Sequence, residues 1–129
     1  MEQTYPVLLL YHTPEGILKR LTPLLRQQGI SVRVIRKELY TVPLEMLLGL
    51  KQPDKILQNP GIELPEPMLV MHGMSSEGVG VDAVLKLLRE NKIRIDLEAV
   101  TTPSNLSWTA LQMFAELQRE REAFRKQGK

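Results

Sequence analysis

Two stretches of this chain are apolar without a break, two others alternate, and helical patterns lie between them. Residues 6–12 (PVLLLYH) and 67–73 (PMLVMHG) are the unbroken runs. Such runs fit strands covered on both faces, as at the centre of a parallel sheet. Residues 30–36 (ISVRVIR) and 93–101 (IRIDLEAVT) alternate apolar and polar positions. That period of two marks strands with one wetter face, as at a sheet edge.

Helical spacing fills the gaps. Ile17, Leu18, Leu21, Leu24 and Leu25 follow Thr13-Pro14-Glu15, a good helix start. Pro23 predicts a kink, or a break with Thr22 as a new cap. Gly29 suits a left-handed helix end. Val81, Val84, Leu85 and Leu88 form a second helical stripe after Ser75, Ser76 and Glu77, with Asn91 as its cap. Ala110, Met113, Phe114 and Leu117 form a third, with Trp108 in its first turn and Ser104 or Asn105 as its cap. About thirty residues separate the second strand from the third. There Pro43 opens a short helix over Leu44–Leu48, and Pro53 opens another around Lys55–Leu57.

Strand, helix, strand, helices, strand, helix, strand, helix predicts an α/β fold. The expected form is a small three-layer domain on a four-stranded, mostly parallel sheet, resembling half of a flavodoxin or Rossmann fold. With right-handed crossovers and the apolar strands central, the expected order is 2-1-3-4. A length of 129 residues suits one domain over 1–129. From about residue 118 the last helix becomes a charged tail, read as a solvated helix with pairs such as Glu122 to Lys126.

Composition narrows the functional classes. With no cysteine, disulfides, thiol catalysis and thiolate metal sites are excluded. A net charge of +2, with 17 basic and 15 acidic residues spread along the chain, argues against a nucleic-acid partner. No apolar run approaches the roughly 20 residues that cross a bilayer. The start MEQTYP carries no basic, apolar leader, so a cytoplasmic setting without membrane contact is expected.

In open parallel sheets, ligands bind beyond the carboxyl ends of the strands, where the strand order reverses. That rule collects His12 and Thr13 after the first strand and His72 and Ser75 after the third. Thr102, Asn105 and Trp108 follow the fourth. These seven are the candidate ligand-binding residues. The chain has two histidines, and this topology brings both to one rim within about 10 Å, the reach of one small ligand. No acidic or thiol ligand completes a metal set, so neither metal nor cofactor is expected.

Other strings carry less. LVMHGMSSEG is like the His-Gly loop of α/β-hydrolases, yet the chain has no G-x-S-x-G elbow. The glycines at 73, 78 and 80 spell neither a dinucleotide nor a P-loop motif. The helix opening between Gly73 and Gly80 could hold an anion, but simple serine capping explains it.

Residues 99–117 (AVTTPSNLSWTALQMFAEL) resemble the end of a bacterial family catalogued as domain of unknown function 3783. The family pattern reads T-P-T-N-x-x-W-T, here Thr102-Pro103-Ser104-Asn105 with Trp108-Thr109. Ser104 replaces a threonine and keeps the hydroxyl. Residues 67–71 (PMLVM) with His72-Gly73 resemble its central strand and turn. The resemblance implies a bacterial, cytoplasmic protein and brings no activity with it.

The expected function is a non-catalytic binding module for a small polar or anionic ligand, or for a partner's terminus. The alternative is a structural or interaction protein, a homodimer joined through the apolar insert at residues 44–50 and the helical surface. A histidine-dependent enzyme has the least support, since no nucleophile or carboxylate pair accompanies the histidines.

Overall fold

The computed structural model describes residues 6–52, 58–74 and 80–127. Along the chain these form β1 (Val7–Tyr11), α1 (Glu15–Gln27), β2 (Ser31–Ile35) and a 3-10 turn over Lys37–Leu39. Then come α2 (Leu44–Leu47), β3 (Met68–His72), α3 (Val81–Glu90), β4 (Leu97–Val100) and α4 (Ala110–Gln127). The helix expected around residues 55–57 and the serines at 75 and 76 lie outside the described residues.

The sheet has the order β2-β1-β3-β4, with the two unbroken apolar strands central and the alternating ones at the edges. Its two faces carry separate cores. Leu8, Leu10, Leu69 and Met71 pack under α1 and α3, against Leu21, Leu25, Val84 and Leu88. Leu9, Tyr11, Met68 and Val70 pack on the other face against Leu44 of α2 and Ala110, Met113 and Phe114 of α4. Both sides of β1 and β3 are therefore dry, which is why their sequences do not alternate.

The direction of β3 differs from expectation. β1 and β2 are parallel, as are β3 and β4, but β1 and β3 are antiparallel, in the register Val7↔His72 through Tyr11↔Met68. The molecule is thus two β-α-β halves related by an approximate half-turn about an axis between Leu9 and Val70. Right-handed crossovers running in opposite directions put both helices on one face. Two halves running the same way would have put α1 and α3 on opposite faces.

The long connection explains the reversal. It leaves β2 and sets Tyr40 edge-on to Tyr11 at the carboxyl end of β1, ring centroids 5.8 Å apart. It then crosses the sheet face. The Leu44 and Glu45 amides donate to the Trp108 and Leu106 carbonyls at 2.8 Å, and Arg33 donates to the Leu47 carbonyl at 2.6 Å. Finally it comes back, so that Glu63 meets Tyr40. Crossing twice returns the chain to the end it left, and β3 must start there.

Local details also depart from expectation. Thr13 does not cap α1; its hydroxyl donates to the Tyr11 carbonyl at 3.3 Å, and Pro14 occupies the cap position. α1 continues through Pro23, which lies on the solvent side where water can take the released carbonyl. Gly29 does end α1 in the left-handed region (φ 78°), with Ile30 N–H bonded back to Leu25. α4 starts at Ala110, so Trp108 precedes the helix. Its cap is Thr109: Thr109 N–H donates to Gln112 Oε1 at 2.8 Å and Gln112 N–H to Thr109 Oγ1 at 3.3 Å. That reciprocal pair is a capping box.

Candidate functional site

Antiparallel halves give the sheet two carboxyl-end rims, one at each end. His12 and Thr13 follow β1 at the first rim. His72, Thr102, Asn105 and Trp108 belong to the second, where β3 and β4 finish. His12 lies about five residues along the ladder from His72, roughly 16 Å at strand spacing. The expected single mouth with both histidines does not exist, because it required β1 and β3 to run the same way.

The second rim is built of internal bonds. Asn105 is buried, and both ends of its side-chain amide are hydrogen-bonded. Oδ1 accepts from Thr102 N–H at 2.8 Å, and Nδ2 donates to the Val100 carbonyl at 3.1 Å. Its own amide reaches the Thr102 hydroxyl at 3.3 Å and the Thr102 carbonyl at 3.1 Å. The Thr102 and Ser104 hydroxyls bond each other at 3.1 Å. This locks the strand-to-helix corner that Pro103 begins. Half-buried Trp108 packs against the core under α4. His72 Nδ1 and the Thr101 hydroxyl are 2.8 Å apart. Burial, and then the charge of Arg33, hold His72 below the usual imidazole value of 6.5. Near neutral pH it is an uncharged ring tied to the neighbouring strand.

The first rim is different. His12 has φ of 52°, a left-handed conformation that costs a residue with a Cβ on the order of 1 kcal/mol. Gly73 (φ 75°) takes the matching place in the other half. The His12 side chain is 40% exposed, and its Nδ1 lies 3.3 Å from Glu63 Oε2. Glu63 Oε1 accepts from the Tyr40 hydroxyl at 2.8 Å and from Leu64 N–H at 2.9 Å. Burial pushes the Glu63 carboxyl up, but the Tyr40 and Leu64 bonds and His12 outweigh it and hold it below the usual 4.5. Burial, with Glu63 beside it, keeps the Tyr40 phenol protonated well above its usual range. Buried Tyr11 sits behind them, its hydroxyl without a hydrogen-bond partner among the described residues.

This arrangement has a chemical direction. An ionised carboxylate held by two donors faces Nδ1 of an imidazole. With the ring proton on Nδ1, the other nitrogen, Nε2, is left as a hydrogen-bond acceptor. The same carboxylate–imidazole order positions metal-bound and catalytic histidines. Among the described residues, however, no group of three or more histidines, aspartates or glutamates could hold a metal ion.

Tyr40 and Glu63 were not candidates from the sequence. Both lie in the connection between β2 and β3, where no periodic pattern marks them. The one available signal was Tyr40 itself, an aromatic residue directly before Thr41-Val42-Pro43 in an otherwise broken segment.

Fold and site together define an open α/β sheet protein with a carboxylate-oriented histidine at one rim and a hydrogen-bonded corner at the other. Residues 67–124 match the model of the family described as domain of unknown function (DUF3783). The match takes in β3, α3, β4, the Thr102–Asn105 corner and α4 as far as Phe124. No curated protein and no solved structure matches the chain. Among the described residues no helix is long and apolar enough to cross a membrane.

Proposed function

We propose that this chain is a non-catalytic binding module of a bacterial cytoplasm, with its ligand at the β1 rim against His12, Thr13 and Glu63, the last held in place by buried Tyr40. One observation carries the reading: His12 keeps an imidazole at a left-handed position while Glu63 orients its ring and leaves it 40% exposed. Strain of this kind concentrates at ligand sites. The ionised Glu63 beside the ring disfavours an anion. The ligand class that fits is a small polar molecule donating hydrogen bonds to Nε2 and the carboxylate, such as an amide, an amine or a polyol. His72, Ser75, Thr102, Asn105 and Trp108 take no part in this reading.

A thermal-shift screen of amino acids, nucleosides and sugars tests it, combined with NMR titration of the His12 ring protons. A raised melting temperature with a shift of those protons supports the site, since a ligand stabilises the state it binds. Ligands that raise the melting temperature equally in His12→Gly would remove this rim from the account.

A further inference from the structure

The outer flank of β4 carries a second surface, independent of the histidine rim. β4 pairs with β3 on one side and with no described strand on the other, so a row of its main-chain groups faces outward. Its side chains alternate. Leu97 and Ala99 are buried against α4, whereas Glu98 and Val100 fall on the face that carries α3. There the cover is incomplete: Val100 is 40% exposed. Beside β4 runs a groove of about 230 Å³, with Leu85, Leu88, Ile93 and Ile95 as its apolar lining and Glu98 on its wall.

The Glu98 side chain is half-buried and makes no ion pair or hydrogen bond among the described residues. Two arginines also line the groove, but Arg94 is committed to Asp96 at 3.0 Å and Arg89 makes no ion pair with Glu98. Burial, and then the Asp96 charge, raise the Glu98 carboxyl above its usual value. A carboxylate in such a place lacks the cation that would compensate its lost hydration.

We propose that this flank binds an extended basic segment of a partner protein, which adds a strand to β4 and lays a lysine or arginine along the groove to Glu98. Strand addition supplies main-chain hydrogen bonds, and a pocket for alternate side chains supplies selectivity. A lysine or arginine stem is apolar and its head is cationic, matching the Leu and Ile lining and the carboxylate in turn.

The test is an NMR titration of the full chain, labelled with nitrogen-15, with a blocked peptide of alternating threonine and valine around one central lysine. Amide shifts should appear at Glu98 and Val100 and along α3 near Leu85 and Leu88. Replacing the lysine by norleucine, or making Glu98→Gln, should weaken binding at least tenfold. Glu98→Lys should bind the peptide whose central residue is glutamate. The norleucine comparison stands even if a variant fails to fold. Equal binding of the lysine and norleucine peptides overturns the proposal, as do shifts confined to other surfaces or none at millimolar peptide. A dimer of the chain that covers β4 also overturns it, by assigning the edge to a second copy.

Discussion

The two rims share one plan and finish in opposite ways. Each closes a β-α-β half, and each has a left-handed residue just after its inner strand, His12 in one and Gly73 in the other. At the β3–β4 rim the polar groups face inward. Asn105, Thr102 and Ser104 bond one another, and His72 is tied to Thr101. At the β1 rim the polar groups form a chain from Tyr40 through Glu63 to a half-exposed imidazole. Polar residues at the carboxyl end of a strand are thus no sign of a site by themselves. What separates the two ends is whether the hydrogen-bonding capacity is already used inside the chain.

The comparison breaks most sharply at Asn105. Asn105→Ala strands the Thr102 amide and the Val100 carbonyl, and urea unfolding should show a loss of about 2–3 kcal/mol. The His12 ring resonances should not move. A loss below about 0.5 kcal/mol would mean that the corner is not held by this residue. Tyr40→Phe should cost less, about 1 kcal/mol, because the Leu64 amide still holds Glu63. It should also weaken any ligand response at His12, which Asn105→Ala leaves intact.

Acid separates the rims by window. His72 has its folded-state value below 6.5, so the unfolded chain binds the proton first and stability falls as pH drops below about 6.5. Glu63 is held below 4.5, so its contribution is complete above that pH and disappears only as pH falls further. Melting temperature against pH should therefore show two limbs. His72→Gln should flatten the upper limb, and Glu63→Gln should shrink the lower one, which Glu66, held down by Arg121, shares. If either substitution flattened both limbs, the rims would not be independent.

The smallest expected effect is at His12. Glycine removes the left-handed strain and the contact to Glu63, and it adds backbone freedom to the unfolded chain. His12→Gly should stay within about 0.5 kcal/mol of the parent in stability. A loss above about 1.5 kcal/mol would make the imidazole a structural member like Asn105.

The elements and their order could be read from periodicity, because burial on two faces in β1 and on one face in β4 leave different patterns. Direction could not. β3 is covered on both faces whichever way it runs, so its sequence would be the same. Direction was set by a connection without strong periodicity that crosses the sheet twice, anchored by Tyr40 and Glu63 at one end and Leu44 at the other. The site was missed for the same reason, since half of it lies on that connection. The corner after β4 was legible as a turn, but Thr109 and Gln112 show where its helix begins, and that T-x-x-Q spacing was in plain view.

The antiparallel seam also bears on how the molecule assembles. Contacts within each half join residues about 24 to 29 positions apart, from Val7 with Ser31 to Met68 with Leu97. The seam joins Val7 to His72. Loop-closure entropy therefore favours early formation of the two local units and late capture of one by the other. Trimming Leu9 or Val70, at the centre of the seam, should slow refolding only as far as that capture lies in the rate-limiting barrier.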